Sequence, residues 1–318
     1  MSAALDLSGA SLLEVIEAMS SQLAAGAEVV ALRVLDPDFG RGCYAGEPIE
    51  HAGHGYVHRP LRVWVELADR LGLRLATPRL LEPPLLELRF ERLGKQLAPV
   101  TGAGDRREKY GRDSEFARIR RAEEPSFVLD LADALDRVGD LPRDARILSL
   151  GVNTGDELAL LLELRPPLRE RACLVGIDHS TSALARARER FPDPRHRFID
   201  ADLATLADQA LGRFDLILAI NVLQSPGVDD RAVLRCIVQD LLTAHGALVL
   251  ALPNCRYRDG ELSHGARTKN FTQPELSLVI KNLGFYRRYL QQHRRRVFIT
   301  GSHDLLLTAV VQRCRETL

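Results

Sequence analysis

Hydrophobic positions alternate between strand-like and helix-like spacing through the second half of the chain. A buried strand at Arg146–Leu150 precedes a turn that contains Gly151 and Gly155, and helical spacing resumes at Leu158. Four further strands are predicted at residues 173–177, 196–199, 214–220 and 246–252, with a helix between each strand and the next. This alternation is typical of a doubly wound parallel sheet.

The last part of the chain departs from this alternation. A capping box at residues 272–275 predicts a helix through residues 276–283 that stops at Gly284. Two strands are then predicted, at residues 285–289 and 304–312. The segment between them is too short for a helical crossover, so we expect them to be antiparallel neighbours. The second half therefore predicts an α/β sheet of seven strands with an antiparallel C-terminal strand.

The first hundred residues follow a different pattern, with few and short elements. The spacing Ser11-Leu-Leu-Glu14 is typical of a capping box and predicts a helix that ends at Gly26. The other expected elements are strands at residues 28–35, 73–76 and 86–90, a helix at residues 61–71 and an irregular loop at residues 36–60. We therefore predict a small α+β domain at residues 1–104. The segment 99–105, rich in small residues, is expected to join it to a second domain at residues 105–318.

Composition narrows the classes of function. The chain has 318 residues, 46% of them hydrophobic, which is enough for two domains with their own cores. Lys plus Arg and Asp plus Glu are both 43, so the chain lacks the basic excess of a dedicated nucleic-acid binder. The five cysteines are scattered and the N-terminus has no secretory pattern. We therefore expect a soluble cytoplasmic protein with neither DNA nor a membrane as partner.

The loop at residues 36–60 carries a group of potential metal ligands. They are His51, His54, His58, Cys43, Glu47 and Glu50. Their spacing matches neither a zinc finger nor a helical HExxH site, so a polar loop without metal is the preferred interpretation. Candidates for substrate contact in this loop are Arg41, Tyr44, Tyr56, His58 and Arg59.

Polar residues stand where the strands of the second half end. Asp178 ends the second predicted strand, and Asp202 follows the third. A carboxylate at the end of the second strand can accept hydrogen bonds from both hydroxyl groups of a ribose. Either acid could instead cap the next helix, since carboxylates are favoured at helix N-termini. Asn221, after the fourth strand, is either a site residue or a turn former.

Taken together, these segments resemble the class I S-adenosylmethionine (SAM)-dependent methyltransferases over about residues 112–312. The turn Gly151-Val-Asn-Thr-Gly155 keeps the first and last glycines of the family and has Asn153 in place of the middle one. Ser149 stands where an acidic residue is common. The resemblance implies a doubly wound, seven-stranded, Rossmann-like methyltransferase sheet and SAM as cofactor.

The same resemblance assigns expected roles to individual residues. The expected contacts are Gly151, Asn153 and Gly155 under the methionine and ribose of SAM, Asp178 at the ribose, Asp202 (or Asp200) at the adenine, and Asn221 where the methyl group meets the substrate. His179 is a further expected cofactor contact.

The loop after the fifth strand, residues 253–271, is the expected place for acid–base chemistry. Ligands of open α/β sheets bind at this edge of the sheet, and the loop is rich in polar residues. His264 is the first candidate for a general base and Glu261 the second; for each, a solvated polar loop is the competing interpretation.

The predicted function is transfer of a methyl group from SAM to an O or N atom of a small or medium-sized metabolite. An RNA (tRNA or rRNA) methyltransferase is the alternative, since arginines at residues 287–288 and 294–296 could contact phosphates. A non-catalytic SAM-binding or scaffold protein is an alternative of another class. A nicotinamide dehydrogenase is disfavoured because GxGxxG requires glycine where this chain has Asp156. The sequence does not indicate an oligomeric state.

Overall fold

The structure is a computed structural model that describes residues 4–94, 114, 118–265 and 276–312. Its contacts divide the chain into two compact units. The first unit comprises Met1–Leu97 with Tyr257–His264, and the second comprises Ala98–Arg256 with Gly265–Leu318. The expected junction at residues 99–105 and the capping box at residues 272–275 lie outside the described residues. The domain limits 1–104 and 105–318 therefore stay a prediction.

The first unit contains a five-stranded sheet and two helices. In chain order its elements are β1 (Leu5–Asp6), α1 (Leu12–Ala24), β2 (Val29–Leu35), β3 (Pro48–His51), β4 (His54–Val57), α2 (Leu61–Leu71), β5 (Leu73–Leu75), β6 (Arg79–Leu80) and β7 (Leu85–Arg92). The sheet has the order β1-β2-β7-β5, and β6 also pairs with β7. β1 is parallel to β2, and the other pairs are antiparallel.

Alternating residues of the central strand build the core of the first unit. In β7, Leu88 and Phe90 are fully buried and pack in one cluster with Val15 of α1 and Trp64 of α2. The ring of Trp64 lies 6.4 Å from that of Phe90. The predicted capping box at the start of α1 is confirmed. The hydroxyl of Ser11 accepts the N–H of Glu14, and the carboxylate of Glu14 accepts the N–H of Ser11.

The loop expected at residues 36–60 contains a hairpin that the sequence pattern missed. β3 and β4 pair antiparallel with His51 opposite His54. Ala52 and Gly53 between them both have positive φ, 50° and 77°. Both strands are mostly exposed, so they lack the apolar alternation by which a strand is recognised. The expectation of an irregular loop is therefore wrong for this part.

The second unit contains a seven-stranded sheet covered on both faces. Its elements are α3 (Pro125–Val138), β8 (Arg146–Leu150), α4 (Asp156–Leu164), β9 (Cys173–Asp178), α5 (Thr181–Arg190), β10 (Arg197–Asp200), β11 (Phe214–Ile220), α6 (Asp230–Cys236), β12 (Leu242–Pro253), α7 (Ser277–Gln292), β15 (Arg295–Thr300) and β16 (Asp304–Val311). Between β12 and α7 the chain forms β13 (Cys255–Arg258) and β14 (Glu261–His264), and residues Tyr257–His264 of this pair belong to the first unit. Among the described residues, no helix is both long and apolar enough to cross a membrane.

The strand order of the second unit confirms the predicted fold class. The order is β10-β9-β8-β11-β12-β16-β15. The first five strands are parallel neighbours, β16 is antiparallel to β12, and β15 is antiparallel to β16. In the central strand, Ile147 packs with α3, α4 and α5, whereas Leu148 and Leu150 pack with α6 and α7. Burial on both faces explains the continuous apolar run of β8.

The sixth strand is not where the sequence pattern predicts it. Residues 285–289 belong to α7, which continues past Gly284, and the strand is β15, further along the chain. Tyr286 and Leu290, both 0% exposed, continue the helical face of Val279 and Leu283. A single glycine costs a helix only about 1 kcal/mol, which this burial outweighs. The prediction of Gly284 as a stop is wrong, whereas the antiparallel closing pair is confirmed.

The chain returns to the first unit in a hairpin formed by β13 and β14. Asp259 and Gly260 turn the chain with φ of 46° and 81°. The guanidinium group of Arg258 donates to the carbonyl of Gly94 at 3.0 Å, and the N–H of Gly94 donates to the carboxylate of Asp259 at 2.5 Å. The polar loop expected at residues 253–271 is thus in part a hairpin that completes the first unit.

Candidate active site

The turn after β8 is tied to the end of β9 by its backbone. The N–H of Gly151 donates to the carbonyl of Ile177 at 2.8 Å. Gly151, Asn153 and Gly155 all have positive φ, at 66°, 46° and 81°. These left-handed conformations reverse the chain within five residues, so α4 begins directly after the turn. The first N–H groups of α4 therefore stand at the carboxyl-terminal edge of the sheet, where ligands of such folds bind.

Packing requires both glycines of the turn. A Cβ on Gly151 would lie 2.7 Å from a methyl group of Val222, and a Cβ on Gly155 would lie 2.6 Å from the ring of Phe191. Both close contacts are to neighbouring side chains of the protein, so these glycines shape the turn itself. Asn153 stands where the family has its middle glycine, and asparagine tolerates the left-handed conformation better than most residues.

Asp178 ends β9 with its carboxylate beside the glycine turn. Its Oδ2 accepts the N–H of Asn153 and its Oδ1 accepts the N–H of Ser180, both at 2.9 Å. The N-cap of α5 is Ser180, whose hydroxyl accepts the N–H of Ala183, so Asp178 is not the cap of that helix. His179 places Nδ1 3.9 Å from Oδ1 of Asp178. Each carboxylate oxygen has a further lone pair with which it can accept a ligand hydroxyl.

The two acids near the end of β10 are both exposed. Asp202 caps the short 3-10 helix Leu203–Asp208 by accepting the N–H of Ala204 at 2.9 Å, which is the alternative role considered for it. Asp200 lies directly opposite Asp178 in the pairing of β10 with β9. The structure thus brings Asp200, rather than Asp202, beside Asp178. An adenine contact by either acid stays a prediction.

Asn221 follows β11, and only the amide nitrogen of its side chain forms a hydrogen bond among the described residues. Its φ is 56°, and its N–H donates to the carbonyl of Ala251 at 3.0 Å. Its amide nitrogen donates to Oδ1 of Asp304 at 2.7 Å. Its amide oxygen is buried and has no hydrogen-bond donor among the described residues. Asn221 therefore both turns the chain and presents an acceptor that a ligand N–H or O–H could satisfy.

Asp304 and Arg121 extend this cluster, and the sequence did not single out either as a site residue. Asp304 begins β16, is 3% exposed and forms an ion pair with Arg121. The guanidinium carbon of Arg121 lies 4.1 Å from the centroid of the Phe127 ring. Residues 106–121 are rich in basic side chains, of which Arg121 is the last, and most of this segment lies outside the described residues. Asp304 carried no sequence signal because its place depends on β16 pairing with β12 across the sheet.

Two titratable side chains near this ion pair have shifted pKa values. Burial raises the pKa of Glu157, the second residue of α4; the charge of Arg121 opposes this shift, and Asp156 and Asp304 reinforce it. A carboxyl group with a raised pKa is suited to exchange a proton near neutral pH. Burial and the charge of Asp304 raise the pKa of Cys255 to about 12, so this thiol stays protonated.

The two base candidates of the loop belong to the segment that completes the first unit. Glu261 accepts a hydrogen bond from Nε of Arg74 at 2.9 Å, and both side chains are partly exposed. Arg74 also donates to the carbonyl of Asp259. His264 is the last residue of β14, and its side chain lies outside the described part of the chain. The catalytic role expected for Glu261 and His264 stays a prediction.

Two histidines of the first unit, His54 and His58, lie against backbone carbonyl oxygens. In the part of the chain that the structure describes, no group of three or more metal-ligating side chains comes together. His58 is 2% exposed, and its ring nitrogens lie 3.3 and 3.2 Å from the carbonyl oxygens of Tyr44 and Pro37. The Nδ1 of His54 lies 3.1 Å from the carbonyl oxygen of Ala52.

Comparison of the sequence with known proteins identifies the domain. The family model described as a methyltransferase domain matches residues 148–248. A segment of 116 residues is 34% identical to trans-aconitate 2-methyltransferase from Variovorax paradoxus (strain S110). That segment covers 36% of this chain and 41% of the relative, so the chain spans less than half the length of the curated relative that it matches.

Solved structures give weaker likenesses. One is a SAM-dependent methyltransferase from Aquifex aeolicus, with 13% identity, a TM-score of 0.42, and coverage of 62% of this chain and 98% of that one. Another is magnesium protoporphyrin IX methyltransferase from Synechocystis PCC 6803 with bound SAM, with 18% identity, a TM-score of 0.41, and coverage of 67% and 100%. The matched family model identifies residues 148–248 as a methyltransferase domain, and the sheet order and the glycine turn agree with the SAM-dependent methyltransferase fold that the sequence resembles.

Proposed function

We propose that the protein transfers the methyl group of SAM to an oxygen or nitrogen atom of a small or medium-sized metabolite. The observation that carries this proposal is the carboxylate of Asp178, 8% exposed and held between the N–H groups of Asn153 and Ser180. The lone pairs that remain on it suit the two hydroxyl groups of a ribose. When bound, SAM supplies a methyl group on a sulfonium centre, which is a strong electrophile.

Residues at the carboxyl-terminal edge of the sheet would position the methyl acceptor and remove its proton. In an in-line displacement, much of the rate comes from holding the acceptor atom against the methyl group. The amide oxygen of Asn221 would orient an acceptor that carries N–H or O–H, which supports nitrogen or oxygen as the methylated atom. Glu157, with its raised pKa, is the group suited to receive the proton that the acceptor loses. Asp304 holds the amide of Asn221 in place, and the ion pair with Arg121 fixes Asp304 in turn.

Two observations favour a metabolite over RNA. The relative from Variovorax acts on trans-aconitate, a small organic acid. Arg295, the middle arginine of residues 294–296, is 7% exposed and donates to the carbonyl groups of Thr243 and Gly246. Its guanidinium group ties β15 to β12, so this one of the five arginines considered for RNA is engaged within the protein. RNA methylation remains the alternative that the acceptor screen must test.

Calorimetry with SAM tests the cofactor site. Wild type should bind SAM, and Asp178→Asn should bind at least about tenfold more weakly, which corresponds to about 1.4 kcal/mol. The matched control is Glu189→Gln, which removes an exposed acid of α5 and should leave the affinity unchanged. Absence of SAM binding by wild type would contradict the proposal, and unchanged affinity in Asp178→Asn would contradict the role of Asp178.

Transfer of a labelled methyl group tests the acceptor class. Wild type is incubated with labelled SAM and either a pool of small metabolites or a pool of tRNA and rRNA. Label in a small molecule supports the proposal. Label in RNA alone establishes the RNA alternative. SAM binding without transfer to either pool favours the non-catalytic alternative.

A further inference from the structure

The first unit contains a cavity at the start of both its helices. Its volume is about 500 Å³. Its walls come from the N-terminus of α1, the N-terminus of α2, and the segment that includes β4. The side chains that matter for its chemistry are Ser11, Glu14, Ala45, Val57, Arg59 and Val63. Every lining residue belongs to the first unit, and none of them belongs to the candidate methyl-transfer site.

Arg59 is the only lining residue with a cationic side chain, and it is buried without a counter-charge. It is 4% exposed, and its Nη2 donates to the carbonyl of Ala10 at 2.6 Å. No carboxylate of the described residues forms an ion pair with it. Its guanidinium carbon lies 5.6 Å from the centroid of the Trp64 ring. Burial lowers the pKa of Arg59, yet a guanidinium group stays charged at any physiological pH. A buried charge of this kind favours an anion beside it.

The start of α2 adds to the positive potential of the cavity. Its N-cap, Pro60, makes no side-chain hydrogen bond, and its first turn contains no acidic residue. Unsatisfied N–H groups and the helix dipole favour an anion at such an end. α1 differs because the carboxylate of Glu14 already accepts the N–H and hydroxyl of Ser11. Glu14 thus serves the capping box, and among the described residues Arg59 has no carboxylate as counter-charge.

We propose that this cavity binds the carboxylate or phosphate group of a small ligand, with Arg59 as its main contact. The planar guanidinium group can offer paired N–H donors to either group. Leu12, Val57 and Val63 line the cavity with apolar surface that the remainder of the ligand would contact. The site would be independent of methyl transfer, so its test needs neither SAM nor an acceptor.

The full chain is titrated with inorganic phosphate and, separately, with glutarate, while the backbone amide signals of Gly46, Val57 and Val63 are followed by NMR. Wild type should show saturable shifts at these amides with at least one of the two probes. Arg59→Gln should weaken binding at least tenfold. Ala45→Glu should do the same by placing a carboxylate at the cavity while Arg59 stays intact. Ala45 is exposed, so this second variant keeps the test valid even if Arg59→Gln fails to fold.

Arg62→Gln is the matched control, since Arg62 is an exposed arginine in the first turn of α2. It should bind as wild type does. Saturation by phosphate alone identifies a phosphate site, and saturation by glutarate alone identifies a carboxylate site. Shifts that do not saturate with either probe would overturn the proposal. Equal affinity in wild type and Ala45→Glu would overturn it as well.

Discussion

Asn221 donates a hydrogen bond of 2.7 Å to Asp304, a residue 83 positions further along the chain. The two meet because a parallel strand ends, and an antiparallel strand begins, at the same edge of a sheet. Asn221 follows the parallel strand β11, and Asp304 opens the antiparallel strand β16 opposite Pro253. The antiparallel closing pair, which identified the fold, therefore also delivers a buried acid to the edge where ligands bind.

Replacing Asp304 should destabilise the second unit. In Asp304→Asn, the partly buried guanidinium group of Arg121 loses its counter-charge, and we expect a loss of about 3 kcal/mol in the free energy of unfolding. Urea unfolding followed by circular dichroism measures it. Asp136→Asn is the control, because the pair of Asp136 with Arg165 is exposed and should contribute less than about 1 kcal/mol. Equal losses in the two variants would contradict the importance of burial.

Removing the side chain of Asn221 should impair the reaction with the methyl acceptor rather than the binding of SAM. Asn221→Gly is the suitable change, because glycine adopts the left-handed backbone of this position without strain. We expect kcat/KM for the acceptor to fall at least about tenfold, the value of one hydrogen bond of about 1.4 kcal/mol. Calorimetry should find nearly unchanged affinity for SAM. A large loss of SAM affinity with normal acceptor kinetics would place Asn221 in the cofactor site instead.

The parallel strands and Asp178 could be predicted because their signals are local. Each parallel strand is a short apolar run, and Asp178 follows from its position at the end of one. The sequence pattern places the sixth strand at residues 285–289 instead of at β15, because the aromatic residues there suit either a strand or a buried helix face. Only tertiary packing distinguishes the two: Tyr286 and Leu290 are buried as part of α7.

The cluster of Asn221, Asp304 and Arg121 could not be predicted, because it is a contact between distant segments. Nothing near Asp304 in the sequence shows that Arg121 and Asn221 will face it. The hairpin at Asp259–Gly260 is a different case, since an Asp-Gly pair is a strong local hairpin signal. Its flanking residues are mostly polar and lack the apolar alternation of a strand, so the pattern predicts a polar loop there.

The ring of Phe191 lies so close to Gly155 that a side chain there should lower stability by more than backbone strain alone. Gly155→Ala must move the ring of Phe191 as well as adopt a positive φ, so we expect a loss of about 2–4 kcal/mol in stability. Gly227→Ala is the control: Gly227 also has a positive φ, but a Cβ there would meet no atom within 4 Å. It should lose only about 1 kcal/mol. Thermal or urea unfolding of the two variants gives the difference, which should vanish if the contact with Phe191 is unimportant.

The raised pKa of Glu157 predicts a definite dependence of stability on pH. The folded protein holds this proton more tightly than the unfolded chain, in which the carboxyl group has its ordinary pKa of 4.5. Its stabilising contribution is therefore complete below about pH 4.5 and is lost as pH rises through the raised value. The Glu157→Gln variant has no carboxyl group to lose this proton. Its free energy of unfolding relative to wild type, measured with urea, should therefore rise with pH.

Glu163→Gln provides the control for this pH series. Glu163 is an exposed residue of the same helix, and its replacement should leave the pH dependence of wild type unchanged. If Glu157→Gln and wild type gave parallel curves between pH 4 and 8, the shift of the Glu157 pKa would be refuted.

The ion pair of Glu261 with Arg74 allows a test of Glu261 as a general base. A general base contributes about 100-fold or more to the rate, whereas an exposed ion pair contributes about 0–1 kcal/mol to stability. Because the carboxylate is engaged with Arg74, we expect Glu261→Gln and Arg74→Gln to have similar, small effects on kcat. A loss of about 100-fold in Glu261→Gln alone, with Arg74→Gln near wild type, would instead establish the base.

The hairpin of β13 and β14 completes the first unit only after residues 95–256 have been synthesised. The ribosome makes residues 1–94 early, yet Gly94 receives its partners Arg258 and Asp259 only after five strands of the other sheet have been made. During synthesis the N-terminal segment therefore lacks its hydrogen bonds to Arg258 and Asp259 while the second unit begins to fold. A fragment that stops before residue 257 would lack part of its own fold, so the order of the units in the sequence is not the order in which they can be completed.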